Sequence, residues 1–216
     1  MKSIEKEVEQ VTKMVMDLAS ELEAEPYLVP VGISARHVHL TLEAVSILFG
    51  KDHALTVMKA LSQPGQYAAN EQVQVIGPAG SFSKVRILGP VRAACQVEVS
   101  ASDARILGVN PPVRASGKIA GTPGVRLMGP EGELELKEGV MIAERHIHMS
   151  PEDAAWFGVL NGDMVKIKVS GPKAGTMEQV SVRVDSNYRL DLHIDTDDAN
   201  AFLLRQGEKV RLEKAL

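Results

Sequence analysis

One cysteine, Cys95, is the only thiol in this chain of 216 residues, so an internal disulfide is excluded and a reducing compartment suits it. Phe, Trp and Tyr together make up 4% of the residues, too few for a nucleic-acid surface built on base stacking. No apolar run reaches the roughly 18 residues of a membrane-crossing helix, and the N-terminus has no uninterrupted apolar core of the secretory kind. Neither sign of charge is in large excess: a net charge of -4 gives a polyanion no bulk attraction. An anionic small substrate would therefore be held by individual arginines. The signatures G-x-x-x-x-G-K-[ST], G-x-G-x-x-G, H-E-x-x-H and G-x-S-x-G are missing too, which disfavours a nucleotide-binding α/β enzyme. The expectation is a soluble cytosolic protein with no nucleic-acid or membrane partner.

What the chain does have is a change of grammar near its start. Residues 3–22 read as one amphipathic helix: Ile4, Val8, Val11, Val15, Leu18 and Leu22 recur at spacings of four and three, with Glu and Lys on the other face. Ser3 is the candidate N-cap, and Pro26 and Pro30 break the helix. Beyond Pro30, short β-branched runs such as "QVQVIG", "KVRILG", "QVEVS", "MVKIKVSG" and "VSVRV" are punctuated by Gly-Pro, Pro-Gly and Asn-Gly turns. Short helices are expected near 41–49, 51–61, 101–107 and 151–157. This pattern predicts a mainly β fold of compact barrels or sandwiches capped by short helices.

An internal repeat sets the domain count. "ISARHVHLTLEA" begins at Ile33 and "IAERHIHMSPEDA" at Ile142. The two RHxH motifs lie about half a chain apart, too far for a solenoid unit, and suit two similar small β-barrel domains. A second echo, "SDARILGVNPPVRASG" beside "PEDAAWFGVLNGDMVKIKVSG", falls out of register with the first, so the repeat is partial or permuted. The expected division is a helix at 1–25, one domain at 30–120 and another at 121–216, with the boundary around "SGKIAGTPG".

In a strand, residues i and i+2 share a face, their Cα atoms roughly 6–7 Å apart. His37 and His39 can therefore aim at one point, and so can His146 and His148. Two converging imidazoles are half of a zinc tetrahedron. One His-x-His alone is readily two packed or exposed histidines; two in the same frame are hard to explain by packing. A third ligand for each pair would come from His193 in "RLDLHIDTDDAN" or Glu98 in "CQVEVS". Asp195, Asp197 and Asp198 read better as an N-cap and first-turn acids than as ligands. Arg86 and Arg92 flank a Gly-Pro turn just before Glu98, and an arginine fork suits phosphate. Cys95 lacks a triad pattern and reads as a small buried residue; His53 lacks a His-x-His context.

These residues resemble the PduL-type phosphate acyltransferases of bacterial microcompartments. The likeness runs from "VPVGISARHVHL" to "LHIDTDDANAF" and rests on "QPGQYAA", "VRILGPVRAACQVEVSASDARILG", "GTPGVRL" and "ERHIHMSPEDA". One departure is Ala35, where the family often has asparagine. The resemblance implies two β-barrel domains sharing two zinc ions per chain. It implies His37, His39 and Glu98 on one metal, and His146, His148 and His193 on the other. It also implies Arg92 as the phosphate-binding catalytic residue and Gly32, Ile33, Ser34, Arg86 and Asn200 along the coenzyme A site. The implied substrates are coenzyme A, acyl phosphate and phosphate. Family members often carry a terminal helix that docks in a microcompartment shell, so shell proteins are expected partners, microcompartment interiors the location, and a homo-oligomer the assembly. A dinuclear zinc hydrolase and a metal-stabilised scaffold are the rival readings. A scaffold has no use for Arg92 beside an open metal position.

Overall fold

Alternation of buried and exposed residues is what a strand with one covered face requires, and β12 (Met164–Val169) shows it: Val165, Ile167 and Val169 are buried between exposed or half-buried neighbours. Strands of this kind dominate the computed structural model of the protein, which describes residues 10–16 and 27–214. In chain order, residues 10–16 form α1. There follow β1 (Leu28–Ser34), β2 (His37–His39), α2 (Leu42–Phe49), β3 (Val57–Ala60), β4 (Tyr67–Ile76), β5 (Ser81–Gly89) and β6 (Gln96–Glu98). The middle of the chain holds α3 (Ala101–Leu107), β7 (Val113–Arg114), β8 (Val125–Met128), β9 (Glu133–Leu136) and β10 (Val140–Ala143). The remainder is β11 (His146–Met149), α4 (Pro151–Phe157), β12, β13 (Gly175–Val184), β14 (Asp191–Asp195), α5 (Thr196–Phe202) and β15 (Lys209–Lys214).

The fold is mainly β, with short helices. One unit is a closed barrel, in the order β1-β14-β11-β13-β12-β15, and the other is a nine-stranded sheet ordered β7-β10-β6-β2-β5-β4-β8-β9, with β3 on β4. Each has its own core. Val29, Val31, Ile147, Phe157, Ile167 and Leu192 belong to the barrel's, and Val38, Leu48, Ile87, Leu107, Leu127 and Val140 to the sheet's.

Sheet membership does not follow chain order. β1 immediately precedes the first RHxH yet lies in the barrel, parallel to β14. β10 immediately precedes the second RHxH yet lies in the other sheet, parallel to β6. The strand before each motif is thus lent to the opposite unit. A chain boundary at 120/121 leaves β8, β9 and β10 on the side of the barrel strands, whereas hydrogen bonding puts all three in the nine-stranded sheet.

The helices begin where hydroxyl or carboxylate side chains meet free N–H groups. Ser100 and Ser150 accept from the backbone N–H of Asp103 and Asp153, whose carboxylates accept in return from the serine N–H, the reciprocal capping box. Thr41 and Asp195 cap α2 and α5. The expected helices near 41–49, 101–107 and 151–157 are present as α2, α3 and α4. The helix expected at 51–61 is a turn followed by the edge strand β3. The helix expected over 3–22 is helical at 10–16, and the rest of it, with Ser3 and Pro26, lies outside the described residues. Two Gly-Pro turns close helix ends from the sheet: Ala79 N–H donates to Leu107 O (3.0 Å) and Glu131 N–H to Leu48 O (3.1 Å). A Cβ on Gly77 would lie 2.2 Å from Leu107 O and one on Gly129 2.3 Å from Leu48 O, so both turns need glycine for close approach.

Candidate active site

Each RHxH strand sits centrally, with the third candidate ligand directly across from it. β2 pairs with β6 so that His37 faces Glu98, and β11 pairs with β14 so that His146 faces His193. Cross-strand neighbours have Cβ atoms about 5 Å apart, so two i, i+2 histidines and one cross-strand residue converge from one face. The ligand atoms of His37, His39 and Glu98 all lie within 4.8 Å of one another, as do those of His146, His148 and His193. The sequence left Glu98 and His193 open as partners for either pair; the register joins Glu98 to the first and His193 to the second.

Hydrogen bonds fix how these rings face. His37 Nδ1 lies 2.9 Å from Ala35 O, His146 Nδ1 2.8 Å from Glu144 O and His39 Nδ1 3.1 Å from Leu88 O. A carbonyl only accepts, so Nδ1 carries the proton and Nε2 offers its lone pair. Both third candidates are held by the residue two places earlier. Gln96 Nε2 donates to Glu98 Oε1 at 2.5 Å, and His193 Nε2 lies 3.1 Å from the buried Asp191 carboxylate. Ser116 Oγ also donates to Glu98 Oε1, at 2.8 Å. His148 Nδ1 is buried with no hydrogen-bond partner among the described residues, a cost a bound cation would relieve.

Burial, with the neighbouring cations, depresses the pKa of His39, His146 and His148 to about 3, so these imidazoles are neutral at physiological pH. Burial raises the pKa of Glu98, but His37 and His39 outweigh it and bring the carboxyl down to about 2. Neutral imidazoles and an ionised carboxylate are the protonation states a divalent metal needs. Three nitrogen donors in one cluster, and two nitrogens with a carboxylate in the other, fit zinc.

Both triads line one cavity of about 620 Å³, as do Gly32, Ile33, Ser34, Arg86 and Arg92. Arg92 makes no ion pair among the described residues; its Nη1 is 3.4 Å from Ser116 Oγ. Arg86 is different, since its Nη1 donates to the carbonyls of Ala69 and Asn70 at 2.9 and 2.8 Å. Gly32 lies against the second triad: a Cβ there would meet both Asp191 carboxylate oxygens at 2.9 Å. Asn200, on α5, is exposed and not part of this lining. Cys95 is half-buried and outside it, its Sγ 3.4 Å from Thr41 N. His53 stacks on Phe49 and bonds Glu71. The lining also includes residues the sequence did not single out: Lys59, Gln63, Ser116, Arg183, Tyr188 and Asp191. Tyr188 packs on His148 at 4.3 Å between ring centroids. Asp191 could have been found by the period-2 rule from His193; the others depend on tertiary placement.

The phosphate propanoyltransferase family model matches residues 30–205. Curated relatives of that name include one from Rhodobacter capsulatus, 47% identical over 201 residues and covering 93% of each chain. One from Thermotoga maritima is 49% identical over 197 residues, covering 91% of this chain and 93% of the relative. One from Salmonella typhimurium is 47% identical over 199 residues, covering 92% of each.

Proposed function

The chain belongs to the phosphate propanoyltransferase family and is a phosphotransacylase, and from that premise we propose that it moves a propanoyl or acetyl group between coenzyme A and inorganic phosphate at a two-zinc centre. The reaction reads acyl-CoA + phosphate = acyl phosphate + CoA. The observation that carries this reading is the opening into one cavity of two clusters that could each hold a metal and of an arginine with no ion pair among the described residues. Zinc ions held by His37, His39 and Glu98 and by His146, His148 and His193 would supply Lewis acidity toward a thioester carbonyl and a coenzyme thiol.

The remaining work falls to the chain itself. Arg92 holds the phosphate dianion with its fork and offsets the negative charge that gathers as the phosphate oxygen bonds the acyl carbon and the C–S bond breaks. Ser116 ties Glu98 and sits beside Arg92, keeping the carboxylate off the guanidinium that must meet the substrate. Gly32, Ile33 and Ser34 present backbone along the cavity wall for the coenzyme. No side-chain nucleophile is needed, and Cys95 is outside the lining. The segment that carries α1 acts apart from this chemistry, by docking in a microcompartment shell. The test is turnover of propanoyl- or acetyl-CoA with phosphate, followed as free thiol and as acyl phosphate. Equal amounts of both products support the exchange; thiol release without acyl phosphate would make the protein a thioesterase.

A further inference from the structure

The arginine of each RHxH points away from the cluster its neighbour serves, toward the helix that follows the third ligand. Arg36 Nε and Nη2 both donate to Asp103 Oδ1, at 3.0 and 2.6 Å. Arg145 Nε and Nη2 donate to Asp198 Oδ2 and Oδ1, at 2.9 and 2.6 Å. Asp103 and Asp198 occupy the same place, third residue of the helices whose caps, Ser100 and Asp195, stand two residues beyond Glu98 and His193. Asp103 is buried, and the flat face of Arg36 lies over the Phe82 ring at 4.1 Å. Hydrogen bonding to Asp198 raises the pKa of Arg145 against its burial.

We infer that Arg36–Asp103 and Arg145–Asp198 are two equivalent positioning pairs, each locking the strand of the first and second ligands to the segment that carries the third. The residues flanking each arginine support this. Ala35 and Glu144, on one side of each arginine, supply the carbonyls that set the tautomers of His37 and His146 on the other. A shift of residue 36 or 145 therefore turns the imidazole, and the paired aspartate carries the opposite strand with it. Neither arginine hydrogen-bonds a candidate ligand side chain, so each acts on the cluster through geometry; Arg36 also lines the cavity, and zinc release separates the positioning role from any contact with substrate. This inference rests on the two-zinc reading.

The experiment measures zinc release from the loaded full-length protein to a chromogenic chelator, with the two phases assigned by His39→Ala and His148→Ala. Losing an outer partner of a metal site costs roughly 10- to 100-fold in affinity. Arg36→Ala should speed release from the first site by that factor and leave the second unchanged; Arg145→Ala should do the reverse. Asp198→Asn should resemble Arg145→Ala, and combining the two should add nothing further. A role in general stability would lower the melting temperature without singling out one zinc. Should an alanine variant fail to fold, Arg36→Lys and Arg145→Lys keep the charge, lose the fork, and still predict faster release from one site only. Wild-type release in folded arginine and aspartate variants would overturn the positioning pairs. If His148→Ala still holds two zinc ions, the metal assignment itself falls instead.

Discussion

Arg86 and Arg92 stand in one short stretch, "KVRILGPVRAAC", yet their surroundings give them different work. Two backbone carbonyls already occupy Arg86, whereas Arg92 has one long hydrogen bond, to Ser116, and no ion pair among the described residues. Arg92→Ala should leave both zinc ions in place and lower kcat by about 10²- to 10³-fold, the usual loss for one transition-state donor. Arg92→Lys should also be impaired, because an ammonium cannot make the paired contact; steady-state kinetics with metal analysis checks both. Away from the cavity, Glu71 accepts from Thr56 N, Thr56 Oγ1 and His53 Nε2. Burial raises its pKa, but these bonds outweigh burial and hold the carboxyl below its ordinary value of 4.5. A lowered folded pKa gives stability that is present above pH 4.5 and is lost as the pH falls below it. Glu71→Gln should cost about 1–3 kcal/mol at neutral pH, and denaturant titrations should show the gap from wild type closing in acid. At this scale the histidines were legible because the i, i+2 rule needs no tertiary information. Ser116, Arg183 and Tyr188 were not, since nothing in their local sequence says they face a cavity.

Strands and helices were legible where local chemistry and pairing agree. Ser100 and Ser150 announce α3 and α4 by their capping residues, and the alternation in β12 announces a half-covered strand. "KDHALTVMKALS" misled because its Ala, Leu, Met and Lys residues suit a helix. The chain instead pairs β3 with β4, and Glu71 and Asn70 bind Thr56 just before it. All four β3 residues are exposed, so an edge strand leaves no period to read. The apolar stripe of the first helix is a different case: Val11 and Val15 fall within α1 and are exposed there, at 58% and 60%. An exposed stripe of this spacing is what a groove-binding helix presents. Deleting residues 1–25 should leave zinc-loaded enzyme with wild-type turnover that no longer co-purifies with microcompartment shells, as should aspartates at both Val11 and Val15. Loss of turnover on truncation would make the helix part of the catalytic fold.

For the whole molecule, the exchanged strands explain why the repeat looked permuted. Ahead of each RHxH, Val31 and Ile33 align with Val140 and Ile142, yet β1 and β10, which carry them, pair in opposite sheets, so the repeat does not coincide with the folded units. The barrel's core includes Val29 and Val31 from β1, each fully buried, and without that strand β14 and β15 lose a shared neighbour. A fragment of residues 144–216 should therefore fail to melt cooperatively. Antiparallel pairing of Leu28 with Arg211 brings the end of β15 close to the start of β1. Joining residues 27–34 after 214 through a short hairpin loop should restore a cooperative transition, read by circular dichroism on heating. Among the described residues the chain passes between the units only twice, at residues 35–36 and 144–145, each beside a histidine of one cluster. Hydrogen bonds add to those passages: Gln63 and Arg189 exchange two, at 2.9 and 3.2 Å, and Ser102 N–H donates to Asp197 at 2.8 Å. Gln63 also lines the cavity, so one of its walls is stitched to the barrel by the same side chain. A bulky coenzyme and a small anion would then meet between surfaces already held at their working separation.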